Sequence, residues 1–284
     1  MKTIFKVEHL NKVYRLGSFP RAITIRALHE VSVTVESDEP VIISIVGESG
    51  SGKTTLARVV LQLERPTSGN VIIHDTAVAG RRAMARGTEF LRMVQPIFQN
   101  SFEAFSRYRT IDSYLYETAT RVNKLNRAGA ISAVEDALSA VGLTYRDVRG
   151  KYSNQFSGGE LQRVSIARAL IPHPRLIVAD EPVSMIDASR RMLIINLFRD
   201  LKERYKTSFL YITHDLATTY YISDYIAVMN KGVIVEFGKA RTVLSNPQHA
   251  YTRLLLDSIP RLDRKWNPAT EALVAESRYG EGRA

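Results

Sequence analysis

One short stretch of this sequence, VIISIVGESGSGKTT at residues 41–55, constrains the fold more than any other. It begins with a continuous apolar run, which is typical of a strand buried on both faces and is too short to cross a bilayer. The glycine-rich segment that follows matches the P-loop pattern G-x-x-x-x-G-K-[ST] in the required context, directly after a strand. A helix is predicted from Lys53 to about Leu63. A strand, a P-loop and a helix in this order predict an α/β sheet.

The P-loop residues are suited to hold the phosphates of a nucleotide. Glycines let backbone N–H groups turn inward around phosphate oxygens without a clash from a Cβ atom. Lys53 is expected to reach the β- and γ-phosphates, and the Thr54 hydroxyl to coordinate Mg²⁺. The candidate nucleotide-binding residues of this segment are Gly47, Glu48, Ser49, Gly50, Ser51, Gly52, Lys53, Thr54 and Thr55. The pattern predicts nucleotide binding but does not indicate what the binding serves.

A second segment, LIVADEP at residues 176–182, supplies acidic side chains. Asp180 ends an apolar strand, the position at which P-loop proteins place the carboxylate that holds Mg²⁺. Glu181 follows and is expected to point to the other side of the strand, where it could polarise the attacking water as a general base. Two solvated acids at a strand end are the alternative for an isolated pair, but the P-loop favours catalysis.

A second anion-binding helix start is predicted far from the P-loop, in QFSGGELQRVSIARAL at residues 155–170. Four apolar residues, three in this segment and one directly after it, are spaced three and four apart, as on one buried helix face; they are Leu161, Val164, Ala167 and Ile171. The segment Ser157-Gly158-Gly159 would then lie at the helix N-terminus, where free N–H groups and the helix dipole favour an anion. The sequence therefore contains two candidate phosphate sites.

The rest of the chain alternates between strand and helix patterns. IFKVEHL, AITIRAL and VSVTVES predict antiparallel N-terminal strands, and NVIIHD, MVQPIF and SFLYITHD predict further strands. Residues 110–142 have a helical pattern that ends at Gly142 and indicates an inserted subdomain. YIAVMNKGVIVEFG predicts a hairpin that turns at residues 230–232. Short helices follow from residue 241, and the polar tail after them is expected to fray.

Composition limits the possible partners. The formal net charge of +10 makes nucleic acid or an anionic membrane surface a candidate partner. One basic segment is concentrated, at residues 80–92; its arginines are Arg81, Arg82, Arg86 and Arg92. The rest of the positive charge is diffuse, with no basic stripe interleaved with aromatic residues and no base-reading motif. We therefore expect no nucleic-acid partner and attribute the excess charge to solubility and nearby anionic lipid. Without cysteine the chain has no disulfides and no Cys-ligated metal sites, and an apolar signal-peptide block is absent from MKTIFKVEHL.

Together the motifs resemble the nucleotide-binding subunit of ATP-binding cassette (ABC) transporters. FSGGE, residues 156–160, is similar to the signature motif LSGGQ and keeps its Ser-Gly-Gly core. The other matching positions are Tyr14 for the aromatic residue that stacks on adenine, Gln99 in PIFQN for the Q-loop, Ser184, Met185, Ile186 and Asp187 for the D-loop, and His214 in YITHD for the switch histidine. An isolated Tyr, Gln or His is more often structural, but five motifs in the family's order reverse that expectation.

The resemblance implies a fold and a domain organisation. The expected fold is α/β, with a RecA-like P-loop NTPase core, an N-terminal antiparallel β subdomain, an inserted helical subdomain and a short C-terminal extension. The ABC nucleotide-binding domain is expected at residues 1–240, with the helical subdomain at about 100–157, and the extension at 241–284.

The resemblance also implies ATP and Mg²⁺ as ligands and assigns roles to residues. Glu181, His214, Gln99 and Lys53 would act in catalysis, and Thr54, Gln99 and Asp180 would serve the metal ion. ABC ATPases work as head-to-tail dimers, in which the signature motif of one chain faces the P-loop of the other. The signature residues Ser157, Gly158, Gly159 and Glu160 would thus complete the partner's ATP site. This arrangement explains two phosphate-binding helix starts in one chain.

The segment NPQHAYTRLLLDSIP, residues 246–260, resembles the extension of ATPases that serve oligopeptide, dipeptide and nickel importers, with Ala250 where proline is usual. That branch implies two transmembrane permease subunits, a second related ATPase in a heterodimer, and indirectly a substrate-binding protein. The expected location is the cytoplasmic face of the cell membrane, as a peripheral protein. SFEAFSRYRT, residues 101–110, departs from the wording common in the branch and leaves peptides, nickel and oligosaccharides open as solutes.

Three other readings remain open at this stage. An ABC exporter ATPase would share the motifs and lack only the extension. A soluble ABC ATPase that acts on DNA or ribosomes would usually carry a coiled-coil insertion or a second cassette, and this sequence has neither. A regulatory module that binds ATP without hydrolysis would not need Glu181 and His214.

Overall fold

The computed structural model describes residues 1–17, 23–81, 83–84 and 87–258, apart from the side chains of Leu16, Glu103, Ala188 and Ser189. Its strands are β1 (Lys2–Leu16), β2 (Ile23–Ser37), β3 (Ile42–Val46), β4 (Ser68–Ile73), β5 (Thr76–Ala79), β6 (Val94–Ile97), β7 (Leu176–Asp180), β8 (Ser208–Thr213), β9 (Tyr225–Asn230) and β10 (Val233–Lys239). The expected fraying of the polar tail concerns residues outside the described part.

The α-helices complete the element order. They are α1 (Lys53–Val60), α2 (Thr88–Met93), α3 (Ser101–Ala104), α4 (Ile111–Glu117), α5 (Arg127–Ala140), α6 (Tyr145–Val148), α7 (Gly158–Leu170), α8 (Ala188–Tyr205), α9 (Leu216–Ile222), α10 (Ala240–Ser245) and α11 (Ala250–Asp257). A π-helical turn, Thr118–Val122, extends α4, and a 3₁₀ turn, Ser153–Gln155, precedes α7. Within the described part, no helix is long and apolar enough to span a bilayer.

The N-terminal sheet is antiparallel, with strand order β2-β1-β4-β5. The sequence predicted two strands, AITIRAL and VSVTVES, where the structure has the single strand β2. Glu30 lies between them with a φ of 47°, and the pairing of β2 with β1 shifts register on both sides of it. A bulge of this kind lets a strand continue through an interruption of its alternating pattern. The short strand β5 was not predicted.

The central sheet places the ends of four parallel strands side by side. Its order is β10-β9-β3-β8-β7-β6, and only β10 runs antiparallel to its neighbour. The carboxyl ends of β3, β8, β7 and β6 therefore meet at one edge, where ligands bind in open α/β sheets. The P-loop, Glu181, His214 and Gln99 each follow one of these strands.

Alternating side chains of the sheet divide the core in two. On β8, Phe209 and Tyr211 face a cluster that includes α7, α8 and the helical segment. Leu210 and Ile212 face the opposite cluster, which includes α1 and the N-terminal sheet. All four side chains are fully buried. Since each buried side chain of this size stabilises the fold by about 1.5–3 kcal/mol, the sheet is a rigid support for the loops at its edge.

The helical segment between β6 and α7 agrees with the predicted helical pattern. Gly142 follows α5 with a φ of 69°; its N–H donates to the Ser139 carbonyl at 3.1 Å, and the Leu143 N–H donates to the Leu138 carbonyl at 2.9 Å. This Schellman arrangement ends the helix and requires a residue that tolerates a left-handed conformation. Helix α1, by contrast, ends at Val60 rather than near Leu63, and Gln62 has a positive φ.

Candidate functional site

Two P-loop positions require glycine because backbone atoms of other elements approach them closely. A Cβ atom on Gly47 would lie 2.1 Å from the Met229 carbonyl oxygen, and one on Gly52 would lie 2.6 Å from that of Ala27. Gly52 also has a φ of 105°, which side-chain-bearing residues rarely adopt. The β9–β10 hairpin and β2 thus fix the shape of the loop from outside.

Lys53 lies inside this loop, with 5 % of its surface exposed. Its Nζ donates to the carbonyl oxygens of Gly47 at 2.8 Å and Glu48 at 2.7 Å, and lies 3.4 Å from Ser51 Oγ. Burial lowers the pKa of the ammonium group, while nearby carboxylates, of which Glu181 contributes most, act in the opposite direction. The P-loop therefore holds a buried cation at its centre.

Asp180 and Thr54 form a set of hard oxygen donors beside the loop. Their side chains are hydrogen-bonded, and burial raises the pKa of the Asp180 carboxyl above its ordinary value of 3.8. The Oδ1 atom of Asp180 is buried and has no hydrogen-bond partner among the described residues. A buried carboxylate oxygen without a protein partner, next to a hydroxyl, fits a Mg²⁺ ligand set.

Two predicted residues, Gln99 and His214, contact a third, Glu181, whose side chain is 20 % exposed. Gln99 Nε2 donates to Glu181 Oε2 at 3.2 Å, and His214 Nδ1 lies 3.1 Å from Glu181 Oε1. Glu181 has a φ of 45°, and its N–H donates to the Ile212 carbonyl at 2.9 Å. Positive φ is uncommon for glutamate and is held here by β8. Gln99, which was predicted to serve the metal, contacts Glu181 in this structure.

The segment after Glu181 turns back on it. The Ser184 hydroxyl donates to the Glu181 carbonyl at 2.9 Å, and the Ser184 N–H donates to the same oxygen at 3.2 Å. The remaining predicted D-loop residues lead to Asp187, the residue that precedes α8. The backbone of the candidate base is therefore fixed on both sides.

Tyr14 lies next to the first turn of α1. Its hydroxyl is hydrogen-bonded to the Glu64 carboxylate and lies within reach of the Thr55 hydroxyl, and burial followed by the Glu64 contact raises the pKa of the phenol. Lys12 Nζ lies 4.8 Å from the centre of the Tyr14 ring. The sequence indicated Tyr14 but missed Glu64 and Lys12. The contact between Lys12 and Tyr14 could have been inferred only from their spacing, because residues two apart on a strand point to the same face.

Ser157 is the N-cap of α7 and forms a capping box with Glu160. The Ser157 N–H donates to Glu160 Oε2 at 2.9 Å, and the Glu160 N–H donates to Ser157 Oγ at 3.4 Å. The Ser157 hydroxyl also donates to Glu160 Oε2 at 2.7 Å, and these bonds from Ser157 lower the pKa of Glu160. Gly158 follows, with Gly159 beside it, in the first turn. The side chain of Glu160 is thus an ionised carboxylate at a helix N-terminus.

The signature segment and the P-loop of this chain do not meet. The first turn of α7 lies beside the D-loop, where a Cβ atom on Gly158 would be 3.6 Å from the Met185 carbonyl oxygen. In the described part of the chain, no hydrogen bond or ion pair joins residues 157–160 to residues 47–55. Two groups of candidate residues, one at the sheet edge and one at α7, are therefore separate within one chain.

A buried polar contact that the sequence did not indicate joins the Q-loop region to α7. Ser101 Oγ is hydrogen-bonded to Gln162 Oε1, and both residues are buried. Further along α7, Arg168 Nη2 donates to the Pro96 carbonyl at 3.1 Å. These contacts tie β6 and α3, on either side of Gln99, to the helix that begins at Ser157.

Comparison with protein families gives two matches along the chain. Residues 28–184 match the ABC transporter family. Residues 235–282 match the family described as oligopeptide/dipeptide transporter, C-terminal region. The first match contains the P-loop, Gln99, the signature segment and the Asp180–Glu181 pair.

Curated relatives match over most of the chain. The oligopeptide transport ATP-binding protein AppF of Bacillus subtilis is 33% identical, over 96% of this chain and 83% of its own length. The di/tripeptide transport ATP-binding protein DppF of Pseudomonas aeruginosa is 35% identical, with coverage of 92% and 80%. A protein of Brucella ovis that is provisionally named as a peptide import ATP-binding protein is 40% identical. The match covers 86% of this chain and 75% of that protein.

Solved structures of ATP-binding cassettes share the fold. A dimeric cassette in a post-hydrolysis state with bound ADP and Pi has a TM-score of 0.71 and 25% identity, over 84% of this chain and 99% of its own. The cbiO1 chain of Clostridium perfringens, part of an ABC transporter complex, has a TM-score of 0.72 and 21% identity, with coverage of 87% and 92%. The predicted α/β fold is confirmed.

Proposed function

This chain belongs to the ABC transporter family of ATPases, and from that premise we propose that it hydrolyses ATP to drive the import of oligopeptides or a related solute. Hydrolysis is supported by the convergence of Lys53, Asp180, Glu181 and His214 at one edge of the central sheet. Import is supported by the C-terminal match to the oligopeptide/dipeptide transporter region and by relatives named for peptide transport. The observation that carries the proposal is this C-terminal match.

Each P-loop residue has a proposed role in holding the nucleotide. Backbone N–H groups of the loop, other than the Glu48 N–H, which donates to the Tyr251 hydroxyl, would bind phosphate oxygens. Lys53 would exchange its bonds to two loop carbonyls for bonds to the β- and γ-phosphates. Thr54 and Asp180 would hold Mg²⁺, which neutralises charge on the phosphates when bound. Tyr14 would stack on the adenine from β1, beside the first turn of α1.

Glu181 is proposed as the general base for the attacking water. In this structure both of its carboxylate oxygens are engaged, one by Gln99 and one by His214. Each carboxylate oxygen has a second lone pair, so Glu181 can accept a hydrogen bond from a water while Gln99 and His214 keep their contacts. Gln99 and His214 are therefore proposed to orient Glu181 and the water, and His214 to reach the γ-phosphate.

The proposed assembly follows the importer pattern. Two transmembrane permease subunits would hold this chain and a second, related ATPase at the cytoplasmic face of the membrane, with a substrate-binding protein delivering the solute. We propose the domain limits 1–240 and 241–284 for this chain, with the inserted helical subdomain at about 100–157. In the ATPase pair, Ser157, Gly158 and Gly159 would face the partner's nucleotide, because among the described residues no hydrogen bond joins them to the P-loop of their own chain.

The metal assignment predicts opposite effects of Asp180→Asn with and without Mg·ATP. Because the folded state raises the pKa of Asp180, ionisation costs stability as the pH rises from about 3.8 through the raised value. At pH 7 without metal, the amide variant should unfold about 2–4 °C higher, the shift expected for about 1 kcal/mol in a chain of this size. With Mg·ATP the order should reverse, because the variant lacks the metal ligand.

Thermal unfolding of both proteins in EDTA and in Mg·ATP checks this prediction. Asp136→Asn, which neutralises an exposed aspartate on α5, is the matched control and should shift neither condition. Equal stabilisation of Asp180→Asn and the unmodified chain by Mg·ATP would remove Asp180 from the metal site.

Two experiments test the proposed function. The first is affinity capture of the tagged chain from detergent-solubilised membranes. The second measures uptake of labelled peptides into vesicles that contain the captured complex. We expect two permease chains and a second ATPase, and peptide uptake that requires ATP. A Lys53→Ala chain should capture the same partners without uptake. ATP-driven efflux would indicate an exporter, and capture of ribosomal or DNA-repair proteins without a permease would contradict transport altogether.

A further inference from the structure

We propose that Tyr251, in the C-terminal extension, is a positioning residue for the phosphate-binding loop: its hydroxyl fixes the peptide group between Gly47 and Glu48. The inference rests on the proposed function, since it concerns the same ATP site. It gives the extension a direct part in nucleotide binding, which the family match does not assign to it.

The contact joins two parts of the chain that are 203 residues apart. The Glu48 N–H donates to the Tyr251 hydroxyl oxygen at 3.2 Å, and the tyrosine is only 9 % exposed. Burial raises the pKa of the Tyr251 phenol, so the hydroxyl is neutral at ordinary pH. A buried neutral hydroxyl is a directional partner for a backbone N–H group.

The same peptide group is held from its other side. Its carbonyl oxygen belongs to Gly47 and accepts from Lys53 Nζ at 2.8 Å, whereas its N–H belongs to Glu48 and donates to Tyr251. A peptide group is planar, so two bonds at opposite ends fix its orientation. When Lys53 turns to a phosphate, the bond to Tyr251 is the one that remains. Tyr251 therefore preserves the start of the loop while the lysine changes partner.

Helix α11 is itself anchored well enough to serve as a support. Glu236 on β10 accepts from the N–H groups of Gln248 at 2.8 Å and His249 at 3.0 Å, just before the helix. His249 Nδ1 accepts from the Tyr251 N–H at 3.1 Å and caps the helix. The Tyr251 ring packs in a small apolar cluster with residues of β3, β9 and α10, namely Val46, Val228, Ala240 and Val243. The hydroxyl is thus held at a fixed place beside the P-loop.

Tyr251→Phe removes only the hydroxyl and tests the proposal. We expect the Kd and the KM for ATP of the full chain to rise about threefold to tenfold, the loss expected for one hydrogen bond, with kcat within about twofold. ADP should lose affinity by the same factor, because both nucleotides use the loop. Tyr221→Phe is the matched control: it removes a hydroxyl that donates to Asn196 at 2.9 Å, away from the loop, and should change neither constant.

Amide hydrogen exchange provides a second readout, which can be measured both in the unmodified chain and in the variant. In the nucleotide-free unmodified chain, the Glu48 N–H should exchange slowly, and Tyr251→Phe should accelerate its exchange without lowering the unfolding temperature by more than the control does. Unchanged Kd and KM in Tyr251→Phe, or fast exchange of Glu48 in the unmodified chain, would overturn the proposal. If the unmodified chain with its partners neither binds nor hydrolyses ATP, the proposed function itself fails.

Discussion

Glu181→Gln should hydrolyse ATP about 10²- to 10⁴-fold more slowly than the unmodified chain, the range expected for loss of a general base, while it binds ATP at least as tightly. The amide has the shape of the carboxylate and can still accept the hydrogen bond from Gln99, so the site keeps its geometry. It cannot take a proton from water. Single-turnover hydrolysis of bound ATP measures the rate, and a filter-binding assay measures how much nucleotide the protein retains.

Glu203→Gln supplies the control for this experiment. Glu203 is an exposed acid on α8 that pairs with Lys202, away from the candidate site, and its amide variant should match the unmodified chain. A turnover rate of Glu181→Gln within about tenfold of the control would show that another group activates the water. In that case Gln99 and His214 would orient something other than the base.

Ser157→Arg should reduce turnover of the assembled ATPase pair by more than the roughly 100-fold that loss of one preorganised donor costs, because it removes the hydroxyl and also places a bulky side chain against the partner's nucleotide. The same substitution should leave the Kd of the isolated chain for ATP within about threefold, a difference of less than 1 kcal/mol. The reason is the separation of α7 from the P-loop within one chain: the arginine would obstruct the partner's nucleotide and not its own. Nucleotide binding to the isolated chain and ATP hydrolysis by the pair are the two measurements.

Ser157→Ala distinguishes obstruction from loss of the helix cap. It removes the capping hydroxyl, which costs about 1 kcal/mol of helix stability, but adds no bulk. We therefore expect it to reduce turnover less than the arginine does. Loss of ATP binding by the isolated Ser157→Arg chain would refute the assignment of the signature segment to the partner's site.

Local chemistry made much of this molecule predictable from its sequence. The P-loop could be identified because positions 47 and 52 admit no side chain, which restricts the residue type directly. The start of α7 follows from a serine three residues before a glutamate, the pattern of a capping box. Buried parallel strands such as β3 and β7 show as continuous apolar runs.

Tertiary contacts account for what the sequence did not reveal. The single strand β2 continues through Glu30 because its pairing with β1 outweighs the local break in pattern. The bond between Ser101 and Gln162 and that between Tyr251 and Glu48 join residues far apart in sequence, and no local pattern marks them. Glu181 was predictable as a base by position, but its contacts with Gln99 and His214 depend on the order of β6, β7 and β8 in the sheet.

The capping box at Ser157 has a consequence for how long a closed ATPase pair would persist. Its acceptor is the ionised carboxylate of Glu160, where the usual signature motif has a neutral glutamine. In the proposed pairing, a phosphate that approaches this helix meets a like charge, a repulsion of about 1 kcal/mol at 4 Å in water and more where water is excluded. In that pairing the repulsion would weaken the closed state: once hydrolysis breaks the bond to the terminal phosphate, release of the free anion would be favoured and the two chains would separate sooner.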